Sequence, residues 1–284
     1  MRFAQTVGLV AALATGLMGA SVAYAAEIKA AVPKTVDIQE MTWPELKAAL
    51  AAGKTTALFY TGGTEQRGPQ NIIAGHNYIG REMSKHIAEK LGNAIAMPVL
   101  PYTPNAASAD LPGTIGLTPE ILALVLDRIA AEAITNGFKN VVLMGDHGGG
   151  QPNVYRTVAQ KLDAEYAARG IHVYYCDQVY APANAVFDKM LTEKKLPIST
   201  HAGISDTSEM MYLSQDTPEL WVRKALIATA VGDPVPVRGQ PAPPSVAKNG
   251  ITGDARASSV EFGKVIFDLR VDHAVRQIQS FIKK

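Results

Sequence analysis

Asn140-Val141-Val142-Leu143-Met144-Gly145-Asp146-His147-Gly148-Gly149-Gly150 decides how this chain folds. From Asn140 to Met144 it is a continuous apolar run, the pattern of a strand buried on both faces of a parallel sheet. The run ends in a metal-competent imidazole set among glycines, where the backbone turns sharply and leaves room for a ligand. A second segment has the same build. The strand pattern Thr56 to Tyr60 leads into Thr61-Gly62-Gly63-Thr64-Glu65-Gln66-Arg67-Gly68-Pro69, which carries a carboxylate among glycines.

Outward from these two segments, strand and helix patterns alternate. Thr42-Trp43-Pro44-Glu45 opens a helix, with Thr42 as cap and Pro44 in the first turn, that ends near Gly53. His76 to Leu91 has helical spacing and stops at Gly92. Ala94 to Val99 reads as a strand, and 101–117 as a long loop rich in Pro, Ala, Asn and Ser. Thr118-Pro119-Glu120 starts a helix whose apolar face is Ile121, Leu122, Val125, Leu126 and Ile129, ending at Gly137. Gln151 to Arg169 is helical, Ile171 to Cys176 a strand, and about Ser258 to Ile282 a closing helix. Val231 to Val246 is Pro-rich and reads as irregular. The expected fold is α/β, with a mainly parallel central sheet and helices on both faces. Ligands in such sheets bind beyond the carboxyl ends of the strands, where both glycine-rich segments lie.

The N-terminus stands apart from this domain. Met1-Arg2, an apolar stretch from Val7 to Val22 and the small-x-small site Ala23-Tyr24-Ala25 form the pattern of a secretory signal peptide. Residues 1–25 are therefore expected to be removed and the product exported, to the periplasm or outside the cell. A membrane anchor is the alternative, against which the shortness of the apolar stretch counts. The remaining 26–284 make one domain. The formal net charge of +1, with scattered Lys and Arg, gives no phosphate-binding stripe and excludes nucleic acid as an expected partner. Cys176 is the only cysteine, so there is no internal disulfide framework, and its strand context reads as an inert buried thiol.

Of the six histidines, His86, His172 and His273 fall in patterns that suit packing or surface positions. The others keep different company. His76 follows Ala74-Gly75 at a helix mouth, eleven residues after Glu65; His147 lies between Asp146 and three glycines; His201 opens His201-Ala202-Gly203-Ile204-Ser205-Asp206-Thr207-Ser208. Glu65, His76, His147 and Asp206 would supply two imidazoles and two carboxylates, a set that suits zinc, manganese or iron. The bland reading is that Glu65 and Asp206 cap helices or pair with Arg67 and Arg81.

The chain resembles the creatininase (creatinine amidohydrolase) family. The resemblance rests on Thr42-Trp43-Pro44-Glu45, Glu65-Gln66 before Gly68-Pro69, Pro112-Gly113-Thr114-Ile115, Asn136-Gly137-Phe138, Asp146-His147-Gly148-Gly149, His201-Ala202-Gly203 with Asp206-Thr207-Ser208, and Asn249-Gly250-Ile251-Thr252-Gly253-Asp254 with Gly263-Lys264, all in order. It implies a layered α/β fold assembled as a homohexamer or another oligomer. It also implies hydrolysis of C–N bonds in small amides by two divalent metals.

Family members read Glu-Gln-His-Gly-Pro-His at the first motif, with an Asp eleven residues after the Glu that bridges both ions. Here Glu65 and His147 are kept. Arg67 and Gln70 stand at the two histidines, His76 at the bridging Asp, Asp206 at the Glu of a Glu-Thr-Ser, Asp146 at a Gly and Gly150 at an Asn. A guanidinium stays protonated and cannot ligate a metal, and a neutral imidazole cannot bridge two ions, so the dinuclear site is expected to be lost.

Two outcomes follow. In one, a single ion sits on Glu65, His76 and His147, with Asp206 as fourth ligand or general base. Arg67 then acts as an electrophile toward the oxyanion or a substrate carboxylate, His201 as acid for the leaving nitrogen, and Asp146 orients His147. In the other, Arg67 pairs with Glu65 or Asp206, no metal binds, and the cleft holds a small ligand or nothing. A purely structural, oligomer-forming subunit is a third reading.

Overall fold

The computed structural model describes residues 30–105, 109–235 and 247–282. The signal-peptide pattern, 106–108 of the long loop and 236–246 of the Pro-rich stretch lie outside these. The apolar run at 140–145 is strand β3 (Asn140–Gly145), flanked by β1 (Thr56–Thr61), β2 (Ala94–Ala96) and β4 (His172–Tyr175). All pair in parallel, in the order β2-β1-β3-β4. The fold is α/β, as expected.

Alternation along the strands explains why they read as unbroken apolar runs. Leu58, Tyr60, Val142 and Met144 face one core. There α2 (Gly75–Leu91), α6 (Ile204–Leu213) and α9 (Val260–Ile282) supply Ile79, Met83, Met210, Phe267 and Val271. Ala57, Phe59, Val141 and Leu143 face the other core. There α1 (Trp43–Ala51), α3 (Pro119–Thr135) and α4 (Gln151–Tyr166) supply Ala49, Leu122, Leu126, Val154 and Val158. Each large side chain so buried contributes roughly 1.5–3 kcal/mol, so both faces are anchored independently.

Some elements differ from the sequence pattern. The second strand is shorter than 94–99 because Pro98 has no N–H to donate. The chain still tracks β1 on either side of it, with Met97 N donating to Leu58 O (3.0 Å) and Leu100 N to Tyr60 O (3.1 Å). Between Cys176 and Val231, a stretch the sequence patterns left unassigned, lie α5 (Ala181–Glu193), α6, α7 (Pro218–Trp221) and α8 (Lys224–Ile227). Cys176 is buried, and burial pushes its thiol pKa up to about 12. Among the described residues no helix is long and apolar enough to cross a membrane.

The strand order creates the site. From β1 the chain crosses to β2 on one side, then to β3 and β4 on the other. The connections leaving β1 and β3 therefore diverge, opening a crevice beyond their carboxyl ends. Thr61 and Gly145 are register partners there, so the residues that follow them enter the crevice side by side.

Candidate metal centre

Glu65 leaves β1, Asp146 and His147 leave β3, and His76 is the second residue of α2. His76 Nδ1 lies 2.7 Å from Asp146 Oδ2, and its Nε2 lies 3.1 Å from Glu65 Oε1. His147 Nε2 lies 3.1 Å from Glu65 Oε2, and its Nδ1 3.5 Å from Asp146 Oδ1. The two imidazoles are 4.0 Å apart between ring centroids. Each thus stands with one nitrogen toward Asp146 and the other toward Glu65.

Local backbone chemistry makes this approach possible. A Cβ on Gly63 would lie 2.5 Å from His147 Cε1, so only glycine lets the loop after β1 pass under that ring. Gln151, fully buried at the start of α4, accepts from His147 N (3.1 Å) and donates to Thr103 Oγ1 (2.6 Å). It ties the loop after β3 to the segment after β2. No sequence pattern marked Gln151, because a glutamine after glycines has no distinctive spacing.

Four of the site residues named from the sequence, Glu65, His76, Asp146 and His147, form this one network. Glu65, His76 and His147 each offer a ligand atom, all within 4.8 Å of one another. The electrostatics are those of a site built to hold positive charge. Burial alone would raise the pKa values of Glu65 and Asp146. Hydrogen bonds and charge from His147 and His76 outweigh it and hold both carboxyls well below their usual range. Burial alone would lower His147, but Asp146 and Glu65 lift it to about 9.

His201 stands at the rim of the group. Its Nε2 lies 2.9 Å from the Gln66 carbonyl oxygen, an acceptor that only a protonated nitrogen satisfies. Its Nδ1 lone pair therefore faces Glu65 Oε1, 3.6 Å away. Burial lowers its pKa, so it is a neutral imidazole. Its position depends on Ala202, which takes a left-handed φ of 55°, a conformation costing roughly 1–3 kcal/mol. Gln70 Nε2 donates to Ala202 O (2.8 Å), and Ala202 N donates to Asp206 Oδ2 (2.7 Å). Gln70 and Asp206 together hold the turn that presents His201.

Asp206 also meets Arg67 Nη2 at 2.9 Å. Burial alone would raise its pKa, and Arg67 pulls it below the usual value. The Arg67 side chain is 0% exposed, so of the two placements expected for it the structure shows the ion pair with Asp206. Room for the guanidinium comes from Gly75, where a Cβ would lie 2.3 Å from Arg67 Nη1. Arg67 Nε, Nη1 and Nη2 donate no well-aligned hydrogen bond, so the contact with Asp206 is one of charge. Asp206 lies outside the group formed by Glu65, His76 and His147. It lines the same cavity of about 690 Å³.

Comparison with known proteins bears on this arrangement directly. The family model for creatininase (creatinine amidohydrolase) matches residues 39–278. The chain belongs to the creatininase family. A creatinine amidohydrolase from Pseudomonas putida is 27% identical over 198 residues, covering 66% of this chain and 75% of that protein. Among solved structures, a mutant creatininase of Zn–Zn type matches with a TM-score of 0.68 at 24% identity, covering 89% of this chain and 100% of the other. The Mn form of creatininase matches with a TM-score of 0.68 at 24% identity, over 88% and 100%. The layered α/β fold of the creatininases is therefore the fold of this chain. It carries a possible metal site in Glu65, His76 and His147.

Proposed function

We propose that this creatininase-family protein is a metal-dependent amidohydrolase that uses one divalent ion, zinc, manganese or iron, to hydrolyse a C–N bond of a small amide. The observation that carries this is the convergence of Glu65, His76 and His147, with Asp146 behind both imidazoles. The residues fit an ion. With Asp146 Oδ2 taking the His76 Nδ1 proton, the His76 Nε2 lone pair faces the Glu65 carboxylate, and acceptors facing each other share only a proton or a cation. His147 Nε2 is buried and makes no aligned hydrogen bond in the protein. A bound ion supplies Lewis acidity toward the substrate carbonyl and a lowered pKa for its water.

The chain's own residues do the rest. His201 Nδ1 accepts a proton from the attacking water as the oxygen adds to the carbonyl carbon. The same proton then passes from Nδ1 to the leaving nitrogen as the C–N bond breaks, giving a carboxylic acid and an amine, which ionise to carboxylate and ammonium. The neutral resting imidazole makes His201 base first and acid second. Arg67 keeps Asp206 ionised and fixed, and Asp206 in turn keeps the His201 turn in place.

The Arg67–Asp206 pair also supports a second reading, in which the cleft holds a small ligand without hydrolysing it. Turnover separates the two. Full-length protein supplied with zinc or manganese is offered a panel of linear and cyclic amides, and amine release is followed for wild type, Glu65→Gln and His201→Ala. The hydrolase reading expects release by wild type alone. Binding without release by wild type would establish the second reading instead.

A further inference from the structure

Behind the cavity, three helices meet at one buried guanidinium. Arg270 of α9 sends Nη1 to Glu209 of α6. Its Nε and Nη2 both donate to Asn184 Oδ1 of α5, at 3.1 and 2.9 Å. Its Cζ lies 5.6 Å from the centre of the Tyr180 ring, at the N-cap of α5. Arg270 and Glu209 are both buried, and taking an ion pair out of water is costly. An apolar pair would pack this junction as well, but it could not orient an amide.

The orientation follows from the donor count. A guanidinium only donates, so the Asn184 atom that meets it is the acceptor, Oδ1. The two N–H groups on Nδ2 then point the other way. Asn184 lines the cavity, as does Tyr180 one turn before it. Nδ2 has no partner among the described residues, and it is not sealed off as the orphaned Gln70 and Asn71 side-chain oxygens are. A donor locked in one orientation loses little freedom on binding, so it selects strongly for an acceptor at one place. Asp188, one turn further along α5, and Asp206 line the same cavity. Their charge disfavours an anion beside Nδ2, so the acceptor it suits is uncharged.

We infer that Asn184 is a specificity residue: its Nδ2 donates a hydrogen bond to an uncharged ligand oxygen, and the site selects a small amide with a second carbonyl, as in a cyclic imide. Arg270 is the positioning residue that acts through it. That the other carbonyl meets Glu65, His76 and His147 rests on the hydrolase reading; the hydrogen bond from Asn184 does not.

Two six-membered rings that differ by one carbonyl test this, glutarimide and 2-piperidinone. Each is titrated by calorimetry into full-length, zinc-loaded protein, and ring opening is assayed in the same samples. Wild type is expected to bind glutarimide about fivefold or more tighter than 2-piperidinone. Asn184→Asp keeps an acceptor toward Arg270 and removes the donor. Its melting temperature should not fall, and it should bind both rings as weakly as wild type binds 2-piperidinone. A merely structural Asn184 would leave the preference intact in that variant. Equal binding of the two rings by wild type, no binding of either, or an Asn184→Asp protein that keeps the preference would overturn the inference. The wild-type comparison stands even if the variant fails to fold. Ring opening of both compounds without a binding preference sinks the inference alone. A glutarimide preference without ring opening tells against the hydrolase reading and leaves the inference standing.

Discussion

At the scale of single residues, His147 has the most measurable property. Its pKa of about 9 belongs to the metal-free site, and an ion must displace the proton to bind. Zinc affinity, measured against a competing chelator, should therefore rise about tenfold per pH unit from about 6.5 to about 9 and then level off. The metal-free protein shows the opposite sense. A histidine whose folded pKa is raised contributes stability fully below 6.5, and that contribution is lost as pH rises through about 9. A zinc affinity flat across this window would remove His147 from the ligand set.

The same residues show what a sequence reveals of a site. Glu65, His76 and His147 were legible because glycines and strand ends gave them unusual company. The Arg67–Asp206 pair was legible only as one of two alternatives, since the two residues are far apart in sequence and meet by tertiary packing alone. Gln151 left no local signal, because a helix start carries such a side chain routinely on an exposed face.

At the scale of elements, α6 and α9 form the junction that positions the turn at Ala202. A Cβ on Gly263 would lie against the Ser208 backbone carbonyl of α6. Gly263→Ala should force the helices apart and cost about 1–3 kcal/mol in urea unfolding. The junction also buries Arg270 of α9 against Glu209 of α6, both essentially without exposure. Arg270→Met strands a buried carboxyl and should cost about 3–5 kcal/mol, whereas replacing both Arg270 and Glu209 with Met should cost less than that. If the double replacement proves as damaging as the single one, the cost comes from losing the pair itself and not from a stranded carboxyl. Periodicity announced α3 and β3 plainly. The α5 and α6 helices were not assigned from the sequence, although Ala183, Phe187 and Leu191 are buried at i, i+4, i+8, because Pro, Gly and small polar residues around them interrupt the apolar pattern.

At the scale of the whole molecule, the site lies where β1 and β3 diverge, so ligands there tie the two glycine-rich connections together. Zinc at about a hundredfold excess over its Kd should stabilise the folded chain by about 2.7 kcal/mol, a rise of about 5–10 °C in Tm for a domain this size. Glu65→Gln should show no such rise. The N-terminal pattern predicts export with cleavage after Ala25, so the intact mass of secreted protein should begin at Ala26. The family resemblance predicts a homo-oligomer, which light scattering on the mature protein checks.

The central claim is a single ion held by Glu65, His76 and His147. It is tested most directly by elemental analysis of the full-length protein purified without chelator and reloaded with zinc or manganese, beside Glu65→Gln and His76→Ala. One ion per chain in wild type and none in either variant is the predicted result. Two ions per chain, or none after reloading, would contradict it.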